Sequence, residues 1–333
     1  MEKEYKVKIF TGIRPTGDLT IANYLGAIKP IVDMAEERDI NPLVFVADMH
    51  ALTDSEPSVA KKFTHEVVAD YLALGLDPER TTIFIQSAIA PQILTLMSYL
   101  SRHITVAELL RVPALKDKLK KNAREETANA LLFLYPVLMA ADILIQRPEY
   151  VPVGEDQESH LEVARLLAKR FNARYGDVFP PPKTYQMKSL RILSLKGKGK
   201  MSKSVPEGAI FLTDNIESAV QKIKKAVTSV EGKMTDGLLS NIIIAKELSK
   251  NENDKMRIDE IIAEHMSGKK VMGEFKKTLA NSVSGFLIDF QARREKIIRN
   301  PETIEFILKR GAEIAAKNAD ETMALVEKAM FSR

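Results

Sequence analysis

The chain of 333 residues contains no cysteine and no tryptophan. The lack of cysteine excludes disulfide bonds, thiolate zinc sites, iron–sulfur clusters and a cysteine nucleophile. The five histidines are scattered, and none forms a pair at the spacing of a helical metal site. No apolar run is long enough to span a bilayer and no signal peptide is recognisable, so we expect a cytoplasmic protein with no membrane partner.

What the chain does contain is typical of a globular protein. Hydrophobic residues make up 45% and charged residues 28% of the sequence, and its length leaves room for two domains with full-sized cores. The net charge of +4 is mildly basic. This charge is compatible with nucleic-acid binding but does not establish it.

The first 90 residues alternate between apolar runs and helical patterns. Three runs are predicted to be strands: Val7–Thr11, Leu43–Ala47 and Thr81–Ile85. Helices are predicted from about Thr20 and over Pro57–Leu74. This alternation indicates a doubly wound, parallel, Rossmann-like sheet. Ligands bind such sheets at the carboxyl ends of the strands, where Gly12–Gly17, Asp48–His50 and Gln86 are expected to lie.

The rest of the chain is mostly helical. Helices are predicted over about 91–121, 125–146 and 157–172, with a last strand near Arg191–Leu195. From Asp214 onward the pattern is helical throughout. We therefore predict an α/β domain over 1–206, with a helical insertion at about 91–150 and a loop at 196–204. A smaller all-helical domain is predicted over 207–333, and one arrangement open to its last helix is to pack back on the first domain.

A glycine- and lysine-rich loop ends in Lys200-Met-Ser-Lys-Ser204. Lysine is well suited to phosphate oxygens, and glycine lets the backbone approach and change shape. The loop can therefore close over a polyphosphate, although a solvated surface loop is the alternative.

The turn Gly12–Gly17 follows the first strand and opens a helix. Unpaired N–H groups and the helix dipole favour an anion at such a helix start. Thr20 and Asn23 would lie near it and could bond a ribose or phosphate. The alternative is an ordinary strand–turn–helix corner.

Tyr135, Met139 and Asp142 are spaced to share one helix face in a strongly apolar segment. An unpaired buried carboxylate is costly, so Asp142 needs a partner or a ligand. One interpretation is a flat pocket in which Met139 contacts an aromatic ring and Asp142 accepts its N–H or O–H. The other is a core helix in which Asp142 pairs with a nearby lysine or caps a neighbouring element.

Taken together, these motifs resemble the bacterial tryptophanyl-tRNA synthetases, which are class I aminoacyl-tRNA synthetases. The resemblance extends over nearly residues 8–230. It rests on five strings: Pro15-Thr-Gly-Asp-Leu-Thr-Ile-Ala-Asn-Tyr24, Asp48-Met-His-Ala-Leu-Thr53, Tyr135-Pro-Val-Leu-Met-Ala-Ala-Asp-Ile-Leu144, Val151-Pro-Val-Gly-Glu-Asp-Gln157 and Lys200-Met-Ser-Lys-Ser204. Ala22 departs from the glycine of the family, and its methyl group is expected to weaken ATP binding without abolishing it.

The resemblance implies a set of site residues. The catalytic residues it implies are Lys200, Lys203, Thr20 and Lys118; the ATP-binding residues are Arg14, Thr16, Gly17, Thr20, Asn23, Gly154, Asp156, Lys200, Met201, Ser202 and Lys203; the tryptophan-binding residues are Phe10, Gly12, His50, Tyr135, Met139, Asp142, Val151, Val153 and Gln157. Taken singly, His50 could be a structural histidine and Lys118 part of a solvated basic face.

The resemblance also implies the reaction and the partners. These are ATP-dependent activation of L-tryptophan and transfer to tRNA(Trp), with Mg²⁺ on the ATP phosphates, no protein-bound structural metal, anticodon reading by the helical domain and a homodimer. Two alternatives remain open. A tyrosyl-tRNA synthetase is disfavoured because such relatives usually carry glutamine where this chain has Met139. A synthetase-like paralogue that binds tryptophan or nucleotide without charging tRNA is disfavoured by the intact lysines.

Overall fold

The computed structural model contains one five-stranded parallel sheet. It describes residues 4–15, 17–37, 40–53, 56–122, 128–152, 158–186 and 190–332. The strands are β1 (Val7–Ile13), β2 (Leu43–Val46), β3 (Thr82–Ile85), β4 (Pro148–Pro152) and β5 (Lys183–Tyr185). Their order is β3-β2-β1-β4-β5 and every pairing is parallel. The predicted doubly wound sheet is therefore confirmed.

Helices enclose the sheet and continue to the end of the described chain. They are α1 (Ile21–Asn23), α2 (Lys29–Glu36), α3 (Asp48–Ala51), α4 (Pro57–Ala73), α5 (Ala90–Ser101), α6 (Val106–Leu109), α7 (Pro113–Asn122), α8 (Ala130–Gln146), α9 (Glu158–Tyr175), α10 (Ile216–Lys224), α11 (Asp236–Glu247), α12 (Glu252–Met266), α13 (Met272–Ile298) and α14 (Pro301–Phe331). A π-helical turn over Tyr24–Ile28 joins α1 to α2, and short 3₁₀ helices span Gln86–Ile89 and Pro206–Gly208.

Strands β1, β2 and β3 are largely buried on both faces of the sheet. Successive side chains of a strand point to opposite faces, so Ile9 packs into one apolar cluster and Phe10 into the other. Val44 and Phe45 divide in the same way. Burial on both faces explains why these strands read as continuous apolar runs rather than alternating ones.

The structure corrects the predicted elements at three places: one strand, two strands without a prediction, and one helix. The expected strand at Arg191–Leu195 was wrong, because only Leu193 forms a β-bridge there, with Lys200 across a turn. The fourth and fifth strands, β4 and β5, lie instead in segments that had not been recognised as strands. The helix predicted over 91–121 is three helices, broken before Thr105, which caps α6 with Glu108, and before Pro113.

Helix α14 closes the open side of β3. Its Gly311 lies against the backbone of Ile83, so that an added Cβ would lie 2.6 Å from the Ile83 carbonyl carbon. Further along, Gln146 of α8 donates to the carbonyl of Ala315 and Gln92 of α5 to Asp320. The helix therefore covers the edge strand of the sheet.

After Tyr185, every regular element in the described residues is helical. Helix α13 contacts the sheet-bearing half through Arg294, which donates to Asp70 of α4 over 2.5 Å and approaches Glu66. Burial raises the pKa of Asp70, and the Arg294 guanidinium opposes this rise. Within the described residues, no helix combines the length and the apolarity needed to cross a membrane.

Candidate active site

The motif residues meet at the carboxyl ends of the strands. The chain passes from β1 to β2 and β3 on one side, whereas β4 and β5 lie on the other, so β1 and β4 flank the crevice where such sheets bind ligands. Gly12 is the penultimate residue of β1, His50 follows β2 and Val151 lies in β4. Five predicted site residues fall outside the described residues: Thr16, Val153, Gly154, Asp156 and Gln157.

Thr20 forms the N-cap of α1 in a reciprocal capping box with Asn23. The Thr20 hydroxyl accepts from the Asn23 N–H, and Asn23 Oδ1 accepts from the Thr20 N–H over 2.9 Å. Thr20 is only 1% exposed. Both residues therefore fix the start of the helix. Ala22, which lies between them, is buried in the apolar cluster that contains Ile9 and Val44.

The lysine loop returns to this helix start. The Ile21 N–H donates to the Ile210 carbonyl over 3.0 Å, and the Leu212 N–H donates to the Leu19 carbonyl over 2.8 Å. Lys203 Nζ donates to the Gly17 carbonyl over 2.8 Å. The fold thus brings together two motifs that lie far apart in the sequence.

The conformation of the lysine loop depends on its glycines. Gly197 and Gly199 have φ angles of 76° and 72°, in the left-handed region that glycine adopts readily. They allow the Ser194 N–H to reach the Gly199 carbonyl and the Met201 N–H to reach Ile192. The Met201 side chain is buried in an apolar cluster and anchors the loop there, whereas Lys200 is exposed.

Lys203 is the partly buried cation of this loop. Burial lowers its pKa, while the carboxylates of Asp18 and Asp70 act in the opposite direction. An ammonium group that is partly desolvated interacts more strongly with an anion than one in bulk water. Of the two lysines in the Lys200–Ser204 motif, Lys200 is therefore exposed and Lys203 is partly buried.

Helix α8 carries the predicted aromatic pocket. Tyr135 is 4% exposed and Met139 is half-buried, and both belong to the apolar cluster that contains Phe10 and Val151. The Phe10 ring stacks on Phe45, with centroids 4.8 Å apart. Phe10, Tyr135, Met139 and Val151 thus share one apolar cluster, and these four residues are called the apolar wall.

Cationic side chains adjoin the Tyr135 end of this wall. Lys118 Nζ lies 4.5 Å from the centroid of the Tyr135 ring, within the range of a cation–π contact. Burial raises the pKa of Tyr135, and the charge of Arg14 opposes this rise. The structure thus brings Lys118 and Arg14, from two separate motifs, to the same aromatic side chain.

Asp142 is 1% exposed, and both of its carboxylate oxygens accept hydrogen bonds. Its Oδ2 lies 2.8 Å from His50 Nε2, and Gln86 Nε2 lies 2.8 Å from Oδ1 and 2.9 Å from Oδ2. Burial raises the pKa of Asp142, while the hydrogen bonds from His50 and Gln86 oppose the rise. The partners of Asp142 are thus a histidine and an amide, not the lysine considered from the sequence.

The sequence predicts that Gln86 lies at this edge of the sheet but does not indicate its role. The signal was a polar residue directly after a buried apolar strand, at the carboxyl end where ligands bind. At position 12, the packing of the core itself requires a glycine. An added Cβ would lie 2.5 Å from the Phe45 ring, which Phe10 holds in place.

Three comparisons place the chain among known proteins. The family described as tRNA synthetases class I (W and Y) matches residues 2–288. A tryptophan–tRNA ligase of Halalkalibacterium halodurans is 38% identical over 98% of both chains, and one of Porphyromonas gingivalis is 36% identical over 96% of this chain and 97% of its own. The crystal structure of a Campylobacter jejuni tryptophanyl-tRNA synthetase complexed with ADP and tryptophan has a TM-score of 0.83. It is 30% identical and covers 97% of this chain and 99% of its own.

Proposed function

This chain belongs to the class I tRNA synthetases of tryptophan and tyrosine, and we propose that its amino-acid substrate is L-tryptophan. It is an aminoacyl-tRNA ligase that joins tryptophan to the AMP part of ATP as tryptophanyl-adenylate, with release of pyrophosphate, and then transfers the amino acid to tRNA(Trp) with release of AMP. The observation that carries the choice of tryptophan is Asp142, a hydrogen-bonded carboxylate at an aromatic and apolar wall.

We propose that ATP lies between the Thr20 helix start and the lysine loop. The contact of Lys203 with Gly17 supports this position, because it puts the cation beside the turn that would receive the phosphates. The proposed ATP contacts are Arg14, Gly17, Thr20, Asn23, Lys200, Met201, Ser202 and Lys203, together with Thr16, Gly154 and Asp156 outside the described residues.

We propose that tryptophan lies on the apolar wall, with its indole N–H donating to Asp142. A carboxylate has room for about four hydrogen bonds, so the bonds from His50 and Gln86 leave capacity for this one. The proposed contacts are Phe10, Gly12, His50, Tyr135, Met139, Asp142 and Val151, together with Val153 and Gln157 outside the described residues.

The chemistry needs no nucleophile from the protein. The carboxylate of tryptophan attacks the α-phosphorus, a C–O–P bond forms, the bond between the α-phosphate and its bridging oxygen breaks, and pyrophosphate leaves. The chain supplies alignment and positive charge. Lys200 and Lys203 would stabilise the charge on the leaving pyrophosphate, Lys118 would approach the phosphates from the Tyr135 side, and Thr20 would fix the helix start.

Mg²⁺ enters this proposal as a counterion of the substrate. The side chains proposed to approach the phosphates include the cations Lys203, Lys118 and Arg14, which suit phosphate oxygens rather than a bare metal ion. Mg²⁺ is commonly bound through substrate phosphates. There it would neutralise phosphate charge.

The remaining proposals concern domains and assembly. We propose a catalytic domain over 1–206 and an anticodon-reading domain over 207–333, whose exposed lysines and arginines would make tRNA binding salt-dependent. We also propose a homodimer in the cytoplasm, where tRNA is charged for translation. Light scattering on the purified protein tests the dimer.

The decisive test is ATP–pyrophosphate exchange with each amino acid supplied alone. Exchange that depends on tryptophan, followed by charging of tRNA(Trp), supports the proposal. Exchange that depends on tyrosine would assign the chain to the other amino acid of its family, and no exchange would indicate a binding protein without ligase activity. The chain itself contains no tryptophan, so bound tryptophan can be followed by its own fluorescence.

A further inference from the structure

Gln86 is a fully buried amide whose orientation its neighbours determine. Its exposed fraction is 0%. Gln86 Oε1 accepts from the N–H groups of Met49 and His50, over 3.2 and 3.3 Å. Nε2 faces both oxygens of Asp142. Rotating the amide by half a turn would set an oxygen against the carboxylate and N–H₂ against two N–H donors, so only one orientation fits.

The hydrogen bonds of Gln86 connect three different elements of the fold. Met49 and His50 lie in the first turn of α3, Asp142 lies on α8, and Gln86 itself follows β3. Asp48 also links α3 to the turn after β3, because its Oδ1 accepts from the N–H groups of Met49 and Ser87. The oxygen of the Gln86 amide thus accepts hydrogen bonds from the main chain, and its nitrogen donates to the Asp142 carboxylate.

We propose that Gln86 is a positioning residue for tryptophan selection: it orients the Asp142 carboxylate and holds it in the charged form that accepts the indole N–H. This inference rests on the proposed tryptophan-activating function. His50 would also orient this carboxylate, because its Nε2 lies 2.8 Å from Asp142 Oδ2.

The electrostatics favour such a role. Asp142 is surrounded by apolar side chains, and burial raises its pKa, as does the nearby charge of Asp48. The hydrogen bonds from Gln86 and His50 oppose that rise. Because hydrogen bonds to the ionised form favour ionisation, removing the Gln86 donor makes Asp142 easier to protonate. A protonated carboxyl group is a much poorer acceptor for an indole N–H.

The test replaces Gln86 by methionine, which keeps its length and removes both polar ends. ATP–pyrophosphate exchange is measured with tryptophan and with β-(benzothiophen-3-yl)alanine, in which sulfur replaces the indole N–H. The wild type is expected to prefer tryptophan. In Gln86→Met the ratio of the two kcat/KM values should fall by about tenfold or more, because a hydrogen bond to a charged group makes a contribution of this size. The value for the analogue should change little.

The pH profile adds a readout that a structural role would not move. With the Gln86 donor removed, the pKa of Asp142 rises, so the fall in kcat/KM for tryptophan on acidification should begin at a higher pH than in the wild type. His50 and Asp48 are present in both proteins, so the difference between the two profiles reports the loss of the Gln86 hydrogen bonds.

Gln146→Met is the matched control. Gln146 is also 0% exposed, but its Nε2 donates to the main-chain carbonyl of Ala315 in α14 instead of to a carboxylate. It should lose stability without any change in amino-acid preference. Gln86→Leu serves as a second variant should the methionine variant fail to fold, and thermal unfolding of each protein checks this.

The outcomes separate the two levels of inference. Preference for tryptophan that persists in a folded Gln86 variant, or an acidic limb that does not move, would overturn the role of Gln86 while wild-type exchange still supports the tryptophan function. A wild type that treats tryptophan and the analogue alike would also overturn it. A wild type without tryptophan-dependent exchange would instead refute the proposed function itself.

Discussion

Substitution of Gly311 by alanine is expected to loosen the contact between α14 and β3. The added Cβ would lie 2.6 Å from the carbonyl carbon of Ile83, closer still to its oxygen, and 3.2 Å from its nitrogen. These atoms belong to the main chain of a strand paired with β2, so they cannot turn aside as a side chain would. The helix itself must move away.

The magnitude combines two opposing effects. Overpacking of a well-packed contact costs about 1–3 kcal/mol and occasionally more, and a clash with main chain belongs at the upper end. Replacing glycine by alanine in a helix contributes about 1 kcal/mol in the other direction. The expected net loss is about 2 kcal/mol of unfolding free energy, which lowers the Tm by about 3 °C in a chain of this size.

The assay is thermal unfolding beside a matched control. Gly273 also lies in a helix, is exposed and has no atom within 4 Å of an added Cβ, so Gly273→Ala should be neutral or stabilising by up to about 1 kcal/mol. Because β3 leads directly into Gln86, the KM for tryptophan should also rise in Gly311→Ala. Equal or higher stability of Gly311→Ala would refute the close packing of α14 on the sheet.

Three further predictions concern the site. Lys203→Ala should lower the rate of adenylate formation by about 100-fold while the Kd for tryptophan hardly changes, and an equal loss in both would reject a role in the transition state. Asp142→Ala should reduce the preference for tryptophan over phenylalanine in pyrophosphate exchange by about 100-fold; unchanged discrimination would make Asp142 purely structural. Ala22→Gly should lower the KM for ATP and, because Ala22 is a buried helical residue, cost about 1 kcal/mol of stability in thermal unfolding; a higher KM would contradict the crowding expected of its methyl group.

The strands that could be predicted are those buried on both faces. β1, β2 and β3 read as apolar runs because helices cover both sides of them. β4 instead begins and ends with proline, and both β4 and β5 contain a charged residue. Glu149 of β4 accepts from Lys8 of β1 over 2.6 Å and from Lys183 of β5 over 3.1 Å. Ion pairs across neighbouring strands leave no periodic apolar pattern in the sequence.

Within the site, the sequence predicted helix faces and loops but not the contacts between them. Spacing predicted that Asp142 shares a face with Met139, yet its partners His50 and Gln86 come from other elements and lie 92 and 56 residues away. Only the folded sheet brings them together. Likewise, the contact of Lys203 with Gly17 spans 186 residues and depends on pairing of Leu19 and Ile21 with the segment at Ile210–Leu212.

The covering of β3 by α14 has a consequence for biosynthesis. The helix begins roughly 200 residues after the strand that it covers, and a ribosome adding about 5–20 residues per second needs about 10–40 s to make that stretch. During this interval the nascent sheet has an open edge, which is a template for pairing with other chains. A stop codon early in 301–331 would make that exposure permanent, so truncated products should aggregate even though every residue of the proposed catalytic domain has been made.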